Sequence, residues 1–96
     1  MPGWILESSE PLIVLRLPEN SVKTVGRTAR ADFILEAPLV SRLHCRLTAA
    51  ASDQLVVEDL ESTNGILVNG KPVERSVLKT GDVLTVGRVE FRILPA

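Results

Sequence analysis

The sequence predicts an all-β fold, a β-sandwich of two antiparallel sheets, and three observations carry that reading. Hydrophobic residues make up 45% of 96 residues, drawn mainly from Val, Leu and Ile, with only three aromatics (Trp4, Phe33, Phe91). Several segments alternate strictly between apolar and polar side chains, and no segment sustains a helical period. Turn-forming residues recur between the alternating segments, a spacing that suits many short strands packed in two layers.

Taken in order, the predicted strands begin with Trp4–Glu7, Leu12–Leu17 and Ser21–Gly26, the last two separated by the turn Pro18-Glu19-Asn20. A short strand, Phe33–Leu35, follows. In "HCRLTA", residues 44–49, Cys45, Leu47 and Ala49 fall on one face and His44, Arg46 and Thr48 on the other. Leu55–Glu58 comes next, after a Ser52-Asp53 turn. Two Asn-Gly pairs, Asn64-Gly65 and Asn69-Gly70, then bracket Ile66–Val68. Asn-Gly is the strongest short signal of a tight hairpin turn, because both central residues need positive φ. Pro72–Val73, Val83–Val86 and "VEFRI" (89–93) complete about ten strands, with Gly81-Asp82 as a further turn. The length fits one domain spanning residues 1–96.

Composition excludes several functions. The longest apolar stretches fall short of the roughly 18 residues a membrane span requires, and the N-terminus lacks the pattern of a secretory signal. A single cysteine, Cys45, permits no internal disulfide, which points to an intracellular setting. Metal binding needs three or four ligands, and one His with one Cys cannot supply them. His44 and Cys45 are neighbours, but successive strand residues point to opposite faces, so they form no catalytic dyad. Cys45 reads as a core residue. No carboxylate pair, phosphate loop or dinucleotide turn is present, so neither an enzyme nor a cofactor site is expected. Single-strand nucleic-acid binders need aromatic platforms in a basic groove, and those are missing.

The net charge is −1, unevenly spread. Residues 23–46 hold five basic groups (Lys23, Arg27, Arg30, Arg42, Arg46) against Asp32 and Glu36, leaving six basic and ten acidic residues elsewhere. A small positive site on an acidic body suits one compact anion. Three motifs converge on that chemistry: Gly26-Arg27, Ser41-Arg42-Leu43-His44 and Ser62-Thr63-Asn64-Gly65. Arg27 offers a guanidinium fork for bidentate phosphate contact, Arg42 a second cation, and Ser41 and Thr63 hydroxyl donors. Asn64 carries both donor and acceptor and so can hold a peptide backbone. "TVGR" occurs twice, at 24–27 and 85–88, with unlike flanks.

These elements, in this order, resemble the forkhead-associated (FHA) domain. The matching set runs Gly26-Arg27, Asp32, Ser41-Arg42-Leu43-His44, Asp59-Leu60, Ser62-Thr63-Asn64-Gly65, Val68-Asn69-Gly70, Gly81-Asp82 and Gly87, across residues 22–94. The resemblance implies an eleven-stranded sandwich with its recognition loops at one end. It also implies a function, reading phosphothreonine in partner proteins. On that basis Arg27, Ser41, Arg42 and Thr63 would contact phosphate and Asn64 the peptide main chain. Gly26, His44 and Gly65 would be structural, with His44 bracing the loops. Leu39, on the loop before Ser41, would favour an aliphatic residue three places after the phosphothreonine. A phosphothreonine methyl pocket is expected near Thr63 and Asn64. Arg27 is expected to matter and Arg88 not. The partners implied are phosphorylated proteins, with intramolecular or homo-oligomeric phospho-dependent contacts left open, and neither nucleic acid nor membrane. The competing reading is a sandwich of this type used for phosphate-independent contact or dimerisation. The start at Met1 suggests an N-terminal module of a longer protein.

Overall fold

The computed structural model describes residues 3–50 and 54–96; the Ser52-Asp53 turn lies outside them. Among the described residues there are eleven strands: β1 (Gly3–Ser9), β2 (Leu12–Pro18), β3 (Ser21–Gly26), β4 (Phe33–Ile34), β5 (Cys45–Ala50), β6 (Gln54–Asp59), β7 (Ile66–Val68), β8 (Lys71–Val73), β9 (Arg75–Leu78), β10 (Val83–Val86) and β11 (Val89–Pro95). They form a six-stranded sheet in the order β2-β1-β11-β10-β7-β8 and a five-stranded sheet in the order β4-β3-β5-β6-β9. The two sheets enclose one core.

Alternation in the sequence becomes alternation in burial. In β5, Cys45, Leu47 and Ala49 point inward, and in β11 so do Val89, Phe91 and Ile93. Leu6, Leu17, Leu84 and Ile66 are among the other buried residues of the six-stranded sheet, and Val25, Leu55, Val57 and Leu78 are among those of the five-stranded sheet. Fully burying an aliphatic or aromatic side chain of this kind contributes about 1.5–3 kcal/mol, and this burial is what closes the sandwich.

The structure departs from expectation at several places. β9 escapes the sequence reading because only Leu78 of its four residues is buried and Val77 is 42% exposed, so no clean alternation marks this edge strand. β4 is shorter than expected, and it runs parallel to β3, with Val25 opposite Phe33 and Gly26 opposite Ile34. Parallel pairing normally needs a long crossover. Here six residues suffice because the pairing covers two residues at one strand's end, and Asp32 ties the turn back to β3. The Asp32 carboxylate accepts from the Thr24 backbone N–H at 2.8 Å and from its hydroxyl at 3.1 Å. Those bonds, the backbone one foremost, hold the Asp32 pKa below its usual value.

The two Asn-Gly pairs also separate. Asn69 (φ 52°) and Gly70 (φ 83°) form the β7–β8 hairpin turn. The Asn69 side chain adds a clamp, accepting from Val83 N–H at 2.9 Å and donating to Asp82 at 3.0 Å. Asn64-Gly65 is no hairpin turn, because β6 and β7 belong to different sheets. It lies in a loop, residues 60–65, that crosses from one layer to the other.

Candidate phosphate-binding site

Strand pairing sets Cys45 opposite both Val25 and Asp59, and Val86 opposite both Ile66 and Val89. The loops 27–32, 35–44 and 60–65 and the 87–88 turn therefore gather at one end of the sandwich. Backbone approach fixes them to each other. A Cβ on Gly26 would lie 2.1 Å from the Arg42 carbonyl oxygen and 2.9 Å from the Leu43 Cα. No side chain other than hydrogen fits there. Gly87, at the end of the second "TVGR", would put its Cβ 2.8 Å from the Pro38 carbonyl oxygen and 2.9 Å from Val40 Cγ2. The repeated motif thus places one glycine from each sheet beneath the same loop.

On this support the predicted residues converge. Arg27 donates its backbone N–H to the Ser41 carbonyl at 2.9 Å and its Nε–H to the Val40 carbonyl at 3.0 Å. The Nε bond aims the guanidinium and leaves both terminal nitrogens without a protein partner among the described residues. Ser41 Oγ accepts from the Thr63 N–H at 3.0 Å, which joins the 35–44 and 60–65 loops and leaves the serine hydroxyl hydrogen able to donate outward. The Thr63 hydroxyl and the Arg42 guanidinium have no partner among the described residues, and both residues are exposed. Asn64 donates from Nδ2 to the Leu39 carbonyl at 3.1 Å, keeping Oδ1 and a second N–H for a ligand. Leu39 is 46% exposed and held at φ 70°, a conformation uncommon for a leucine.

His44 was expected on the polar face of a strand. It instead precedes β5 and is fully buried. Its Nδ1 accepts from the Ser41 N–H at 3.0 Å, so Nε2 carries the proton and donates to the Gly65 carbonyl at 2.7 Å. With both ring nitrogens occupied, His44 braces the two loops that carry Ser41 and Thr63. Gly65 (φ 74°) closes the second of these loops.

Three residues outside the expected site, Asp59, Ser62 and Thr28, complete the brace. Asp59 accepts from the Ser62 hydroxyl at 2.5 Å and its N–H at 3.3 Å, and Ser62 Oγ accepts from the Gly65 N–H at 2.8 Å. The signal was an Asp and a Ser three residues apart, which supports an Asx-type turn. Thr28 donates its hydroxyl to the Arg42 carbonyl at 3.3 Å. Arg88, in the adjoining 87–88 turn, instead lines a groove of about 590 Å³ with Glu7, Ser9, Glu90 and Arg92. Cys45 is fully buried, and burial pushes its thiol pKa up to about 12, so it stays protonated. No helix of the described residues is long and apolar enough to cross a membrane.

The result is a cluster of guanidinium and hydroxyl donors on exposed loops, held by hydrogen bonds between the loops, with the Asn64 amide beside it. Comparisons with known proteins agree with this geometry. The FHA domain family model matches residues 23–87. The oxoglutarate dehydrogenase inhibitor of Corynebacterium jeikeium is 33% identical over 96 residues, an alignment covering 92% of this chain and 65% of that protein. An FHA domain solved in a study of phosphothreonine-dependent FHA interactions superposes with TM-score 0.87 at 30% identity, covering 96% of this chain and 95% of that one. The FhaA FHA domain, solved in complex with the intracellular domain of Rv3910, gives TM-score 0.85 at 31% identity over 94% and 98% of the two chains. Sequence order, sandwich topology and loop arrangement lead to one conclusion: this chain belongs to the FHA-domain family.

Proposed function

We propose that this chain is a phosphothreonine-dependent protein-interaction module that works by binding, with no chemical step of its own. The observation that carries this reading is the Ser41 Oγ to Thr63 N–H bond. It brings two hydroxyls from separate loops beside the outward-facing Arg27 fork. In this reading Arg27 grips the phosphate bidentately, Ser41 and Thr63 donate hydroxyl hydrogens, and Arg42 adds a second cation. Asn64 holds the bound peptide's main chain, and Leu39 favours an aliphatic residue three places after the phosphothreonine. The domain is read as residues 1–96, since β1, β2 and all of β11 lie outside the region the family model matches yet pair within the six-stranded sheet.

A phosphothreonine bears about −1.5 to −2 charges at neutral pH, with three acceptor oxygens. Charge-assisted hydrogen bonds contribute about 1.5–3 kcal/mol each, and ordering a peptide offsets part of the sum. Binding near the micromolar range follows, about 8 kcal/mol. The test is calorimetric titration with one peptide in threonine, phosphoserine and phosphothreonine forms. Phosphothreonine should bind, phosphoserine more weakly, and the unmodified peptide not measurably. Equal binding of the unmodified peptide would instead establish phosphate-independent contact.

A further inference from the structure

Beside the 60–65 loop, against β7 and β8, lies a second concavity, a cleft of about 330 Å³. Its apolar lining comes from Ile66, Leu67, Pro72 and Val73, and Asp59, Asn64 and Glu74 supply its polar lining. The cleft is built rather than incidental. The Asp59 N–H donates to the Glu74 carbonyl at 2.8 Å, which ties the two acidic residues' backbones together. The Asp59 carboxylate is fixed by Ser62 yet retains lone pairs. The Glu74 carboxylate has neither hydrogen bond nor ion pair among the described residues, and no cation lines the cleft.

An apolar lining beside a pair of carboxylates matches one kind of side chain, a long aliphatic stem ending in a cation. Asn64 connects this cleft to the phosphate site, since its Nδ2 reaches the Leu39 carbonyl on one side while the residue lines the cleft on the other. A peptide main chain held at Asn64 therefore passes the cleft. An extended chain advances about 3.3 Å per residue, so a residue within about four positions of the phosphothreonine can reach it.

We infer that the cleft is a specificity subsite for a lysine or arginine of the same phosphorylated partner. The inference rests on the phosphothreonine reading above. The site thus has two poles, Arg27 and Arg42 for the phosphate and Asp59 and Glu74 for a nearby cation, and it selects phosphothreonines in basic surroundings.

The test uses the full chain and a set of phosphothreonine peptides carrying Lys, norleucine or Glu at each of the four positions on either side. Affinities are measured by fluorescence anisotropy for wild type and for Glu74→Lys, whose folding is verified by thermal unfolding. At one position Lys should exceed Glu about fivefold in wild type, the range of a partly exposed ion pair, and exceed norleucine as well. Glu74→Lys should invert that order at the same position. Norleucine binding as well as Lys, or a Lys preference unchanged by Glu74→Lys, overturns the inference while leaving phosphothreonine binding intact. Absence of any phosphate-dependent binding overturns both.

Discussion

Replacing Arg27 by alanine separates the two "TVGR" arginines by function. The Arg27 Nε–H is committed to the Val40 carbonyl at 3.0 Å. On the proposed reading a phosphate would therefore meet the two terminal nitrogens, which can form two charge-assisted bonds of about 1.5–3 kcal/mol each. Their loss removes about 3–6 kcal/mol gross. Water entering the vacated space and Arg42 nearby recover part of it. A net loss of about 2.7 kcal/mol or more remains, about 100-fold in Kd. Starting near micromolar, Arg27→Ala should leave no measurable binding in titration calorimetry. Arg27→Lys keeps the charge but not the fork and should recover only part of the affinity. Arg88→Ala, in the groove lined by Glu7 and Glu90, should change Kd less than about twofold, within the usual scatter of surface substitutions. Thermal unfolding should show all three variants folded. Equal losses at Arg27 and Arg88, or an Arg27→Ala protein that binds within twofold of wild type, would refute the assignment.

Three further outcomes follow from the bracing of the loops. Gly26→Ala drives a Cβ to 2.1 Å from the Arg42 carbonyl oxygen; denaturant unfolding should show a loss of about 1–3 kcal/mol, with phosphopeptide binding lost alongside. His44→Ala leaves the Ser41 N–H and Gly65 carbonyl without partners, at about 1–3 kcal/mol for each group that water cannot reach. Hydrogen exchange should show faster exchange of the Ser41 amide, and unchanged protection there would count against the bracing role. Asp32 has its pKa lowered in the folded state, so its contribution is fully present above the unfolded carboxylate value of about 3.9 and is lost as pH falls through the folded value. The stability gap between wild type and Asp32→Asn should be constant near neutral pH and shrink below about pH 4, as followed by urea unfolding across a pH series.

Much of the fold was legible because side-chain period and burial coincide. Cys45-Leu47-Ala49 and Val89-Phe91-Ile93 alternate in sequence and lie inward in the structure. The candidate site was legible as an ordered set of donor-bearing residues, and the structure joins Arg27, Ser41 and Thr63 by direct hydrogen bonds. Other features depend on partners distant in sequence. β9 is defined by its pairing with β6, with Leu55 opposite Leu78, and its own residues do not alternate clearly. Burial of His44 follows from two loops closing over it, and neighbouring residues do not signal that closure. The positive φ of Leu39 is equally silent, because leucine gives no local hint of a left-handed conformation. Asn64-Gly65 carries the same dipeptide as Asn69-Gly70, and only the topology shows that it bridges layers.

The paired glycines beneath the 35–44 loop have a mechanical consequence. Gly26 belongs to a strand of one sheet and Gly87 to the turn after a strand of the other, and each touches the loop through backbone. The loop is thus seated on two footings, one carried by each sheet. A change in core thickness, such as Phe91→Leu or Leu47→Val, shifts one footing against the other without touching a binding residue. On the phosphate-binding reading, ligand affinity is expected to gauge layer spacing, so that variants deep in the core register at the rim.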